Sequence, residues 1–136
     1  LKVKKLRTIR SAMNKADQKV GYFGILADED SITGFLLAGI GHRHKKFGPN
    51  FMAVDPETTP KDKVAKFFKG LLTRGDITMI LITQSVAEMI RSLIVAHTDI
   101  VPAIVEIPSK DEPYDEKKDP IMKRVNALLG SQGADD

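Results

Sequence analysis

The chain has 136 residues, 42% of them hydrophobic and 29% charged, which fits one globular domain, and no apolar run approaches the ~20 residues of a membrane-spanning helix. It contains no cysteine, which excludes disulfides, thiolate metal sites and thiol nucleophiles. Its net charge of +3 is unevenly placed: residues 1–20 hold seven Lys or Arg and one acid, and subtracting these from 21 basic and 18 acidic residues leaves 14 and 17 for residues 21–136, an acidic body that argues against a nucleic-acid-binding core.

The leading segment, residues 1–20, places Val3, Leu6, Ile9, Met13 and Ala16 at steps of three and four, the spacing of a basic amphipathic helix, and forms an extension that is helical or disordered. VGYFGILA (20–27) has the continuous apolar character of a buried strand. SITGFLLAGIG follows, with Ile32, Phe35, Leu36 and Ile40 on one helical face and glycines suited to a helix terminus. NFMAV (50–54) reads as a second strand. TTPKDKVAKFFKGLLTRGD then offers Thr59 as N-cap and Pro60 as the first helical residue, with a stripe of Val64, Phe67, Phe68, Leu71 and Leu72. Ile77 to Ile82 is too apolar for a half-exposed strand and predicts a parallel sheet covered on both faces.

SVAEMIRSLIVAH opens with Ser85 and Glu88, the spacing of a capping box, and predicts one helix with a stripe of Val86, Met89, Ile90, Leu93 and Ile94. VPAIVEI (101–107) is the fourth strand, with Pro102 acceptable near its beginning or on an edge. A polar loop (108–118) leads to DPIMKRVNALLG (119–130), where Asp119 and Pro120 repeat the start signal and Ile121, Val125, Leu128 and Leu129 form the apolar stripe; SQGADD (131–136) reads as a flexible tail. Four strand–helix units in succession predict one α/β domain over residues 21–107, flavodoxin-like or Rossmann-like, with a four-stranded parallel sheet in the order 2-1-3-4 and a C-terminal helix.

Ligands of such sheets sit at the carboxyl ends of the strands, where Asp28, Glu29 and Asp30 fall. Three adjacent acids can hold a divalent cation or start a helix. No other strand-end carboxylate completes a cage, so the expectation is structural: Asp30 or Ser31 accepts from the first-turn N–H groups, and the remaining acids favour the positive helix end. A receiver-like regulatory domain binding Mg²⁺ or phosphate at these ends is the alternative. It lacks an acceptor aspartate after the third strand, where Thr83 and Gln84 stand. His42 and His44 lie among Arg43, Lys45 and Lys46, cations that oppose metal binding and predict a solvated basic loop. Gly39-Ile40-Gly41 lacks the third glycine of a dinucleotide fingerprint, no Walker A sequence occurs, and no nucleophile–base pair is evident. The residues predict neither catalytic chemistry, nor a metal site, nor a cofactor.

GILADEDSITGFLLAGIG, PNF, DITMILITQSVAEMIR and PAIVEIPSKDEPYDEKKDPIMKRV together resemble the F subunits of eukaryotic vacuolar-type ATPases, over about residues 21–130. The resemblance implies a non-catalytic component of the central stalk, paired with the elongated D subunit inside the catalytic ring, coupling ATP hydrolysis to rotation and proton transport. It further implies neighbouring ring and stalk subunits as partners, and a cytoplasmic position at a vacuolar or endosomal-type membrane, held there through the complex. Residues 1–20 and the basic loop 42–48 fall outside what the resemblance explains. The expected partner surface combines Arg91, Ile107, Pro108, Ser109, Lys110, Tyr114 and Arg124.

Overall fold

The computed structural model describes residues 21–130. The expected basic helix of residues 1–20 and the tail 131–136 lie outside the described residues. The elements run β1 (Tyr22–Ala27), α1 (Glu29–Leu37), β2 (Arg43–His44), β3 (Gly48–Pro49), β4 (Phe51–Ala53), α2 (Lys61–Thr73), β5 (Ile77–Thr83), α3 (Gln84–Met89), α4 (Arg91–Ala96), β6 (Ala103–Ile107), a 3₁₀ turn (Glu116–Lys118) and α5 (Pro120–Leu128).

The main sheet is four-stranded and parallel in the order β4-β1-β5-β6. This is the expected Rossmann-like 2-1-3-4 order once the short β2–β3 hairpin is set aside. The hairpin occupies the stretch expected to be a basic loop, and its turn is local: His44 Nδ1 accepts from the amides of Lys46 (3.0 Å) and Phe47 (3.3 Å). His42 stacks on Tyr22 with 4.5 Å between ring centroids.

Right-handed crossovers place α2 and the α3–α4 pair on one face, because the chain moves from β4 through β5 to β6 in one direction. There Phe68 (0% exposed), Val64, Leu71, Val86 and Ile90 pack on Leu26, Ile80, Ile82 and Ile104 in the principal core. Among the described residues the other face carries α1 alone, which covers Ile25 and Ala27 with Ile32, Phe35 and Ile40. Over β5 and β6 that face is less covered than the apolar run of β5 predicts. Phe23, Met79 and Ala103 sit in register across it, as do Ile25, Leu81 and Val105; Met79, Ala103, Val105 and Ile107 are only half-buried.

Several termini differ from expectation. At α1 the N-cap is Asp28, neither Asp30 nor Ser31: its carboxylate accepts from Ser31 N (3.1 Å) and Ser31 Oγ (2.7 Å). Strand β1 runs on to Ala27, so Asp28 is the first residue free to turn. At the other end Gly39 (φ +85°) lets Gly39 N reach Leu36 O and Ile40 N reach Phe35 O, a Schellman closure that returns Ile40 to Phe35.

In α2 the N-cap position is Pro60, which has no side-chain acceptor, and the first helical residue is Lys61. Thr59 does not cap it. Its Oγ1 closes the preceding turn by accepting from Asp55 N at 2.9 Å. Ser85 and Glu88 form no capping box: α3 already starts at Gln84, Ser85 Oγ turns back to Thr83, and Glu88 pairs with Arg91. The single expected helix is broken at Ile90 (φ −125°, ψ 27°) without proline or glycine. Ile90 is fully buried and Arg91 is drawn onto Glu106 of β6, so packing and an ion pair together fix the corner. Pro102 lies just before β6, the edge strand.

Candidate functional site

A network of polar side chains lies at the carboxyl ends of β5 and β6. Gln84 (5% exposed) follows β5 directly, and its Nε2 donates to Glu106 Oε2 (3.1 Å) and to Asp115 O (2.8 Å). Its Oε1 accepts from Asp115 N at 2.7 Å, so one side chain holds both backbone groups of Asp115. The carboxylate of Glu106 is almost fully buried and pairs with the Arg91 guanidinium, which also reaches Glu88 at 2.9 Å. Burial works to lower the Arg91 pKa, but the bonds to Glu106 and Glu88 outweigh it and raise it, so the charge stays where Glu106 needs it.

This clamp fixes the start of α5. Asp119 caps the helix, Oδ1 accepting from Ile121 N at 2.8 Å, while Oδ2 accepts from the Tyr114 hydroxyl at 2.5 Å. That bond to the Asp119 carboxylate pushes the Tyr114 phenol up to about 12, because losing its proton would set two anions together. The helix so anchored buries none of its own residues. Ile121 (43% exposed), Val125 (37%), Leu128 (86%) and Leu129 (73%) stand along it, and Ile100 and Val101 lie exposed just before β6. Between α5 and the body is a cavity of about 150 Å³, lined by Ile94, Ile104, Asp119, Ile121 and Arg124 among others.

Of the seven residues expected to form a partner surface, several already have partners within the chain. Arg91 and Tyr114 are engaged within the chain, as above. Ile107 is half-buried at the end of β6, and Pro108 is exposed beyond it. Ser109 Oγ accepts from Glu112 N (3.1 Å), and Lys110 crosses to Asp30 Oδ2 (2.6 Å). Arg124 is exposed on α5 and shares a groove with Arg91, Lys117, Lys118 and Lys123. Sequence reasoning gave Gln84 and Glu106 no part in the site. A glutamine at a strand end carries no local signal, but a glutamate inside the apolar run AIVEI was a visible anomaly, since a buried carboxylate needs a cation.

Two of the three acids after β1 are engaged within the chain. Asp28 caps α1, Asp30 meets Lys110, and Glu29 is exposed. Burial works to raise the Asp28 pKa, but the Ser31 hydrogen bonds prevail and hold it below the ordinary carboxylate value. Among the described residues no group of three metal-ligating side chains converges, and no helix is long and apolar enough to cross a membrane.

Residues 23–125 match the family model described as ATP synthase (F/14-kDa) subunit. The chain is 46% identical over 117 residues to the V-type proton ATPase F subunit of Dictyostelium discoideum, covering 86% of this chain and 97% of that protein. It is 47% identical over 105 residues to the V-type proton ATPase F subunit of Xenopus laevis, covering 77% of this chain and 94% of the relative. Against the V-type proton ATPase F subunit of Homo sapiens the identity is 44% over 108 residues, covering 79% and 90%. With a family match over most of its length and relatives well above 30% identity covering most of both chains, this chain belongs to the family of V-type proton ATPase F subunits.

Proposed function

We propose that the chain is a non-catalytic rotor component of a V-type proton ATPase that pairs with the elongated D subunit and passes the torque of ATP hydrolysis towards proton transport. The observation that carries this reading is α5: a nine-residue helix with an apolar stripe and no buried residue of its own, held in place from its first turn. A stripe of that kind suits the seam of a long helical partner, where Val125 and Leu128 would enter the grooves of a facing helix. The half-buried Ile107 and the exposed Pro108 and Lys110 extend the proposed contact along the end of β6. On this reading the chain sits in the cytoplasm, beside the membrane sector of its assembly.

Co-expression with the D subunit and size-exclusion chromatography of the product test the pairing, with a stable one-to-one complex expected. Val125→Asp together with Leu128→Asp should abolish co-elution while leaving the free chain's circular dichroism and Tm essentially unchanged, because neither side chain contributes to the core. Full co-elution of that variant would refute the assignment of α5. Because, among the described residues, the tether acts at the start of α5, the helix can also swing between the body and its partner. Cysteine pairs joining α4 to α5, introduced into a chain that has none of its own, should alter ATPase turnover of the assembled complex; unchanged turnover on full assembly would count against that movement.

A further inference from the structure

A second surface lies at the opposite edge of the sheet, beside β4. The hairpin and α2 enclose a groove of about 560 Å³ whose apolar lining includes Phe47, Pro49, Met52, Phe67 and Leu71. Its charged lining is cationic: Lys63, Lys66 and Arg74 border it, beside Thr73, and no acid does. Arg74 is already engaged, with Nε and Nη2 on the Asp76 carboxylate at 2.9 and 2.8 Å and its guanidinium 5.0 Å from the Phe47 ring centroid. Lys63 and Lys66 make no ion pair or side-chain hydrogen bond among the described residues. Phe47 remains half exposed at the groove wall.

We propose that this groove receives an acidic, apolar segment of a partner protein, with a large apolar side chain lying between Phe47 and Phe67 and flanking carboxylates reaching Lys63 and Lys66. The charge pattern selects the occupant. The chain's own residues 1–20 carry seven Lys or Arg and one acid, so like charges oppose their entry. Residues 131–136 (SQGADD) supply acids but no apolar side chain larger than alanine to fill the apolar part. A partner's extended strand or short helix with alternating acids and large apolar residues satisfies both requirements, in the manner of other groove-bound peptides. The proposal is independent of the pairing through α5, since the two surfaces stand at opposite edges of the sheet.

Gly70 gives a clean test. It lies on the groove wall within α2, and a Cβ added there meets nothing within 4 Å. Gly70→Leu therefore fills the groove while improving helix propensity, so the variant stays folded. The probe is a fluorescein-labelled ten-residue peptide alternating Phe or Leu with Glu, titrated into the full chain and followed by anisotropy and by amide chemical shifts. Saturable binding is expected, with shifts on residues 47–52 and 63–74. Gly70→Leu should weaken it at least tenfold, Lys63→Glu with Lys66→Glu should do the same, and the same peptide with Lys in place of Glu should not bind. Absence of binding, shifts confined elsewhere, indifference to Gly70→Leu, or equal binding of the Lys peptide would each overturn the proposal. So would preferential capture by phosphatidylserine vesicles that Gly70→Leu abolishes, which would make the groove a lipid site. None of these outcomes bears on co-elution with the D subunit.

Discussion

Replacing Gln84 by alanine removes the side chain that holds both backbone groups of Asp115, in the 108–118 loop, to the body. Three hydrogen bonds disappear, to Glu106 (3.1 Å), to Asp115 O (2.8 Å) and from Asp115 N (2.7 Å). A hydrogen bond in a folded protein is worth about 1 kcal/mol net, so the gross loss is about 3 kcal/mol. Asp115 is only half-buried and recovers water once released, whereas Glu106 stays buried and keeps Arg91. Global stability should therefore fall by about 2–3 kcal/mol. Local opening of the loop loses the two bonds to Asp115, about 2 kcal/mol, which corresponds to a roughly 30-fold larger opening constant. Urea unfolding followed by circular dichroism measures the first quantity, and hydrogen exchange at the Asp115 amide measures the second. If Gln84→Ala folds normally and Asp115 exchanges at the wild-type rate, the clamp is not what holds the start of α5.

Further predictions concern the caps, a titration and a turn. Asp28→Ala should cost about 1 kcal/mol in urea unfolding near neutral pH, while Asp30→Ala at an exposed pair should change stability by less than about 0.5 kcal/mol. Because the folded Asp28 pKa is lowered, its contribution is present above the unfolded value and fades as pH falls through the folded one, so the two variants should converge in acid. In a Tyr22→Phe background the Tyr114 phenol should ionise at about 12 by ultraviolet absorbance, and Asp119→Asn should bring the midpoint back towards the ordinary tyrosine value. Here the folded pKa is raised, so the stabilisation is intact below about 10 and is lost as pH climbs from there towards about 12. Gly41→Ala should destabilise by about 1–3 kcal/mol, since Gly41 has φ +130° and an added Cβ would stand 2.4 Å from Leu36 Cδ2.

The elements built on long periodic runs were legible in the sequence. The stripe from Val64 to Leu72 gave α2, and the apolar run Ile77–Ile82 gave β5, because burial of many side chains outweighs local alternatives. The caps were harder to read. Asp28, Glu29, Asp30 and Ser31 present four residues in a row that can cap or support a helix start, and the choice rests on where β1 stops pairing with β4. Thr59 had the right chemistry but a competing local partner in Asp55. Ser85 lost its cap role because Gln84, drawn to Asp115 across 31 residues, begins the helix two positions earlier, with Thr83 at the N-cap position. Arg91 was expected at a partner surface, and the buried Glu106 engages it within the chain, a pairing that no sequence spacing announces. The stripe of α5 was visible at once; that it would remain uncovered was not, since an amphipathic pattern is the same whether the helix packs on its own domain or on another chain.

The position of β1 in the middle of the sheet governs how the polypeptide can acquire its shape during synthesis. Its two neighbours are β4 and β5, and the second contributes Ile77 to Thr83, more than fifty residues downstream. Until that segment leaves the ribosome, Leu26 and α2 lack the strand that completes their shared core. A nascent chain halted before residue 83 should thus remain protease-sensitive and dependent on chaperones, with order arriving late and in a single step.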